Sequence, residues 1–146
     1  GGGDSQALEI MRAAIHRNKS EKNFVFYHGS LPYEQTLECY QKADIFVFPS
    51  TCETFGISLL EAMTVGLPIA SSDRGPMPEV LKDAGLYFNP ESVTSIKKCL
   101  RYMIDNPDLM QSLGSKAKKY SENYSWGKCA DETFAFLSSV YEKNKT

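Results

Sequence analysis

The 146-residue sequence predicts an α/β fold, a parallel sheet with helices on both faces that ends in a cluster of helices. Three observations carry this expectation. Short apolar runs alternate down the chain with segments of helical periodicity. Each run is followed by a single helix and short turns, the order of right-handed βαβ units. The runs are apolar at successive positions rather than at every second one, as strands covered on both faces are. At this length the chain is expected to form a single domain over residues 1–146, with residues 92–146 as its terminal helices.

Taken in order, Asp4 to Asn18 places Leu8, Met11 and Ile15 on one helical face, with Asp4 or Ser5 as N-cap. Asn23 to His28 (NFVFYH) reads as a buried strand that stops at Gly29. Pro32 suits a first helical turn and opens a helix carrying Leu37, Tyr40 and Ala43. Asp44 to Pro49 (DIFVFP) is a second strand. A helix from about Phe55 to Val65, a strand from Leu67 to Ser71, a helix from Met77 to Leu81 and a strand from Leu86 to Phe88 follow. Three helices then succeed one another: Ser92 to Asp105, Pro107 to Tyr124, and Trp126 to Lys143 capped by Ser125. Doubly wound domains carry about five strands or more. Fewer are legible here, so the sheet is expected to be incomplete on its N-terminal side. Gly1 to Gly3, directly before a helix, fit either a linker or tag scar or a turn whose preceding strand is absent.

Composition excludes several classes of function. Lys and Arg total 16 against 18 Asp and Glu, a net charge of -2, and the isoelectric point lies near 5.7. The broad basic field of a nucleic-acid binder is missing. With 42% apolar and 23% charged residues, the chain has the balance of an ordinary globular protein. Its strongest apolar stretch, Ile45 to Pro49, is far shorter than the roughly 20 residues of a membrane span. The N-terminus lacks a basic-then-apolar leader, and the chain reads as cytoplasmic. Cys39, Cys52, Cys99 and Cys129 form no C-x-x-C pair and have only His16 and His28 beside them in composition. They are neither a disulfide framework nor a metal ligand set, and read as reduced thiols.

The segment that carries chemistry runs from Pro49 to Pro68. A strand ends, a small polar loop follows, and Gly56 stands at the mouth of a helix. Free N–H groups near Phe55, Gly56, Ile57 and Ser58 would point outward with the positive end of the helix dipole, which suits a phosphate. Gly56 would let that ligand approach the backbone. The place is also right, since open α/β sheets bind ligands at the carboxyl ends of their strands. Glu61, five residues past Gly56, lies about 7 Å further along the helix. Its carboxylate could accept both hydroxyls of a ribose. Glu53, in the loop, could face a sugar beyond the phosphate. On spacing alone, the same two residues also read as a dipole partner and a solvated loop charge.

E-T-F-G-I-S-L-L-E-A-M-T-V-G-L-P-I-A-S-S-D, Glu53 to Asp73, resembles the signature of the "glycosyl transferases group 1" family of retaining GT-B enzymes, whose two glutamates are separated by seven residues. The likeness continues in F-V-F-Y-H-G-S-L, A-D-I-F-V-F-P-S, G-P-M-P-E-V, A-G-L-Y-F-N-P and Y-S-W, and so spans Asn23 to Ala130. Gly1 to Gly3 resemble the V-G-x-G turn of that family's C-terminal domain. The resemblance implies a Rossmann-like, donor-binding C-terminal domain. It implies a nucleotide-diphosphate sugar, UDP- or GDP-linked, as donor, transfer with retention of anomeric configuration, and no metal or other cofactor. On matching positions Glu53 is the catalytic-site residue and contacts the hexose hydroxyls. Phe55, Gly56 and Ile57 offer amides to the diphosphate, Glu61 holds the ribose, and the turn at Ser30, Leu31 and Tyr33 lies near the base.

The departures set the remaining expectations. The family's pyrophosphate-gripping Gly turn and Arg/Lys pair belong upstream of this sequence, as does the N-terminal domain that binds a carbohydrate or lipid-linked acceptor. The chain is therefore expected to be a donor-binding part with little or no transfer activity alone. A sheet lacking its first strands would expose an edge, through which copies are expected to self-associate. With a lipid-linked acceptor the full-length protein would be peripheral to a membrane, through helix faces such as Lys97, Lys98 and Arg101. The alternative is a non-catalytic nucleotide-sugar-binding or interaction module of the same fold. A phosphorylase-like relative would need a cofactor-binding Lys, and no residue declares itself as one. His28 reads as a core imidazole or a ligand contact, and Arg74 as a phosphate contact or a solvated charge.

Overall fold

Three short parallel strands build the sheet, in the order β1 (Phe46–Phe48), β2 (Ile69–Ser72), β3 (Leu86–Phe88). The computed structural model describes residues 5–17 and 24–145, and Gly1 to Gly3 lie outside them. Phe46 stands opposite Ile69 and Phe48 opposite Ser71, while Ala70 pairs with Leu86 and Ser72 with Phe88. Helices separate the strands: α3 (Ile57–Thr64) between β1 and β2, and α4 (Met77–Leu81) between β2 and β3. The α5 (Val93–Ile104), α6 (Pro107–Ser121) and α7 (Trp126–Lys143) helices follow. At the N-terminal end stand α1 (Ser5–Arg17) and α2 (Tyr33–Lys42).

The central strand shows why both faces are covered. All four residues of β2 are buried. Ile69 packs into a cluster with Leu59 and Met63 of α3, Met77, Val80 and Leu81 of α4, and Ala117 of α6. Its neighbour Ala70, on the opposite face, packs with Phe88 and with Met103 of α5. Fully buried side chains such as Leu59, Met63, Ile69, Met77 and Leu81 each contribute about 1.5–3 kcal/mol through removal from water. This is the α/β, parallel, two-faced arrangement that the periodicities predict.

The helix boundaries follow local chemistry. Ser92 and Ser125 cap α5 and α7, their hydroxyls accepting from the N–H groups of Ser95 and Lys128. Asn106 precedes Pro107 at the first turn of α6. Gly114 lets α6 lie against the turn that follows α3: a Cβ there would sit 2.3 Å from the carbonyl oxygen of Gly66.

Residues 1–39 and 40–146 are two compact units, the boundary falling within α2. In the first, Met11 and Ile15 of α1 line an apolar groove together with Phe24 to Tyr27. Here the sequence expectation is corrected. Phe24 to His28 form no strand, and Phe24 and Phe26 are 65% and 69% exposed. An extended apolar run becomes a strand only when a neighbouring backbone completes its ladder, and among the described residues none pairs with it. For the same reason His28 is exposed and not a core imidazole. No helix among the described residues is long and apolar enough to cross a membrane.

Candidate functional site

The loops that leave the carboxyl ends of the strands carry the candidate site, as the parallel topology requires. The first joins β1 to α3 through Pro49 to Gly56. It ends in a residue that only glycine occupies comfortably: Gly56 has φ 85° and ψ 58°, in the left-handed region. A Cβ on Gly56 would point at the Phe48 ring, 3.5 Å away, and at Leu59, 3.6 Å away. The glycine thus serves the sharp entry into α3, and its Cβ direction faces the protein interior and not a ligand. The helix begins at Ile57, two residues later than its periodicity suggests, because the left-handed residue cannot be part of it.

That entry leaves backbone donors open. No side chain caps α3. Leu59 and Leu60 donate their N–H groups to the Gly56 carbonyl at 2.9 and 3.2 Å, whereas those of Gly56, Ile57 and Ser58 meet no backbone acceptor among the described residues. Ile57 is 56% exposed and Ser58 is exposed, whereas Gly56 is buried, so the accessible donors are those of Ile57 and Ser58, at the positive end of the helix. Phe55 is half-buried and pinned edge-on against Tyr124, with ring centroids 5.6 Å apart. The loop is held in place from behind by this contact and by Phe48.

The two glutamates stand differently. Glu61, half-buried in α3, accepts a hydrogen bond on Oε2 from the Tyr40 hydroxyl at 3.1 Å. Its Oε1 has no partner among the described residues. Glu53 is half-buried in the loop and its carboxylate has no ion pair or hydrogen bond among them. Its backbone borders the loop after β2: a Cβ on Gly75 would lie 3.8 Å from the Glu53 carbonyl oxygen. In that second loop Arg74 is neither free nor simply solvated. Its guanidinium pairs with Asp73 at 3.2 Å and Glu91 at 3.5 Å, and its N–H donates to the Ser72 hydroxyl. Arg74 is the cation of the loops that follow the three strands.

Phe55, Gly56, Ile57, Ser58 and Glu61 therefore come together on one helix start, with Glu53 in the loop that leads into it. Leu31, half-buried, and Tyr33, 63% exposed, lie at the start of α2 in the first unit. Sequence reasoning read Tyr40 only as a helix-face residue and missed its bond to Glu61. A contact across 21 residues leaves no periodic trace. Cys52 is exposed, as are Cys39 and Cys129, while burial pushes the half-buried Cys99 thiol upward. Among the described residues no group of three or more His, Cys, Asp or Glu side chains is placed to hold a metal ion.

The shifted acids and bases lie away from this site. Hydrogen bonds from Lys116 and Tyr120 hold the Asp83 carboxyl below its ordinary value, and the same carboxylate raises both partners. Burial, and then the nearby charge of Asp83, push the Tyr87 hydroxyl up to about 12. These groups tie the turn after α4 to α6 and do not face the helix start of α3.

Residues 3–120 match the family described as "Glycosyl transferases group 1". The chain is 30% identical over 105 residues to the sulfoquinovosyl transferase of Arabidopsis thaliana, covering 68% of this chain and 21% of that protein. It is 30% identical over 125 residues to the O-antigen chain mannosyltransferase B of Escherichia coli, covering 86% of this chain and 32% of that protein. The chain thus spans about a fifth to a third of the length of these relatives. The crystal structure of HepE from Anabaena in complex with UDP and glucose superimposes with a TM-score of 0.79 at 19% identity, over 92% of this chain and 37% of that one. The likeness is one of fold.

Proposed function

The chain belongs to the glycosyl transferases group 1 family, and from that premise we propose that it is the donor-binding part of a retaining glycosyltransferase that takes a hexose from a nucleotide-diphosphate sugar. The observation that carries this reading is the start of α3. Two N–H groups on exposed residues, Ile57 and Ser58, meet no backbone acceptor among the described residues, and they stand one helical turn before Glu61, whose Oε1 has no partner among those residues. A diphosphate fits the donors and the helix dipole, and a ribose diol fits Glu61. Glu53 then faces the hexose. That HepE was crystallised with UDP and glucose supports the same class of donor.

Transfer replaces the bond between the anomeric carbon and the diphosphate oxygen by one from an acceptor hydroxyl oxygen to the same carbon; the electron pair leaves with the diphosphate, and the hydroxyl proton passes to the diphosphate or to water. In this reading negative charge grows beside the amides of Ile57 and Ser58. Fixed donors aimed at that charge stabilise it without reorganising. The Glu61 carboxylate holds the nucleoside and contributes through orientation. Because the matched segments make up only 21% and 32% of these relatives, the acceptor and the remaining contacts to the diphosphate are assigned in this reading to segments outside this chain, and the chain alone is expected to transfer little or no sugar.

Calorimetric titration with UDP, GDP, ADP and their hexose conjugates tests the reading. One base series is expected to bind, with affinity reduced by Glu61→Ala and with the hexose increment lost in Glu53→Ala. Binding that ignores both substitutions would overturn it.

A further inference from the structure

Glu61 projects from a helix whose first turn is open to solvent, and a glutamate in such a place samples several rotamers. In this chain it is tethered. The Tyr40 hydroxyl, in the last turn of α2, lies 3.1 Å from Glu61 Oε2 and 3.5 Å from the Ser58 carbonyl oxygen. The tyrosine itself has little freedom. Its ring meets Phe46 edge-on, with centroids 5.6 Å apart at 69°, and packs against the core formed by α3 and α4. A tyrosine hydroxyl has one proton to give, and here it is given to one of the two carboxylate oxygens. The other, Oε1, has no partner among the described residues.

We propose that Tyr40 is a positioning residue for donor binding: its hydroxyl, fixed by ring packing on β1, locks Glu61 in the rotamer that presents Oε1 to the ribose hydroxyls. The proposal rests on the donor-site reading above and adds to it a residue that touches no substrate. Locking the carboxylate before the ligand arrives removes an ordering cost from binding. It also leaves one oxygen to receive the diol, so the site discriminates by the presence of those hydroxyls. The bond to the carboxylate is charge-assisted and thus of the stronger kind.

The test measures dissociation constants by amide-shift titration of the 146-residue chain. The ligands are whichever of UDP and GDP the wild type prefers, and its 2′,3′-dideoxy analogue. Tyr40→Phe keeps the ring packing and removes the hydroxyl alone. It is expected to weaken the diphosphate by about three- to tenfold, the range for losing a hydrogen bond to a charged group at a half-exposed site, and to leave the dideoxy analogue unchanged. In a Glu61→Ala background the same substitution is expected to change neither ligand. Equal weakening of both ligands would assign Tyr40 a merely structural role, and the same loss without Glu61 would disconnect the two residues. Either result overturns the proposal. If wild type and Tyr40→Phe bind both ligands alike while the Gly56 to Ser58 amides respond, the positioning role fails and the donor site stands. If the wild type binds neither UDP nor GDP, the donor-site reading fails and this inference with it.

Discussion

Gly56 separates two accounts of why a glycine stands at the mouth of α3. In one, the missing side chain makes room for a ligand. In the other, it permits a left-handed backbone. The geometry favours the second, since φ is 85° and the Cβ direction faces Phe48 and Leu59 at 3.5 and 3.6 Å, ordinary contact distances. Gly56→Ala therefore meets no steric clash, and its cost is the backbone term alone, about 1–2 kcal/mol. For a chain of this size that lowers Tm by about 2–6 °C. Gly56→Asn should lose less, because asparagine enters the left-handed region with less strain. The added methyl lies away from the open amides, so nucleoside diphosphate affinity should stay within about twofold, or 0.4 kcal/mol. Thermal denaturation and ligand titration of the same variants separate the accounts. A Tm equal to wild type with affinity reduced more than about tenfold would refute the reasoning and restore the close-approach role.

Other substitutions report on packing, charge and assembly. Gly114→Ala would drive a Cβ to 2.3 Å from the Gly66 carbonyl oxygen and should destabilise the chain by about 1–3 kcal/mol in urea denaturation. Gly127→Ala, in α7 with nothing within 4 Å of the new Cβ, should instead gain up to about 1 kcal/mol from helix propensity. Asp83 is held below its ordinary 3.8 by Lys116 and Tyr120. A depressed carboxyl stabilises the fold above its unfolded value and ceases to do so as pH falls through the folded one. The Tm gap between wild type and Lys116→Met should thus persist at neutral pH and shrink as the pH drops below about 4; a gap constant to pH 2 would remove this pair from the account. Among the described residues β1 is hydrogen-bonded on one side only, and edge strands recruit partners, so sedimentation should show association that rises with concentration.

What the sequence discloses is local. The Ser92 and Ser125 caps, Pro107 in a first turn, and the runs at Phe46 to Phe48 and Leu86 to Phe88 are legible because capping and burial leave marks within a few residues. The glutamates and the open amides are legible for the same reason, as they sit on one loop and one helix. Strand pairing is not local. Phe24 to His28 have the composition of a strand and the backbone of none, since composition cannot supply a partner ladder. The periodicity of α7 reveals a helix with Phe134, Leu137 and Tyr141 along it, yet no residue of that helix is buried. A periodic face says what a helix offers, not what covers it. The bond between Tyr40 and Glu61 arises from the packing of the Tyr40 ring on Phe46, and no spacing rule connects those two positions.

In the proposed function, the start of α3 receives a nucleoside diphosphate. The most direct measurement is a backbone amide-shift titration of the chain with UDP and GDP, repeated on Glu61→Ala. Saturable shifts centred on Gly56, Ile57, Ser58 and Glu61 are expected with one of the two, with saturation moved to higher ligand concentration in the variant. Shifts that saturate elsewhere on the chain, or that survive Glu61→Ala unchanged, would contradict this reading.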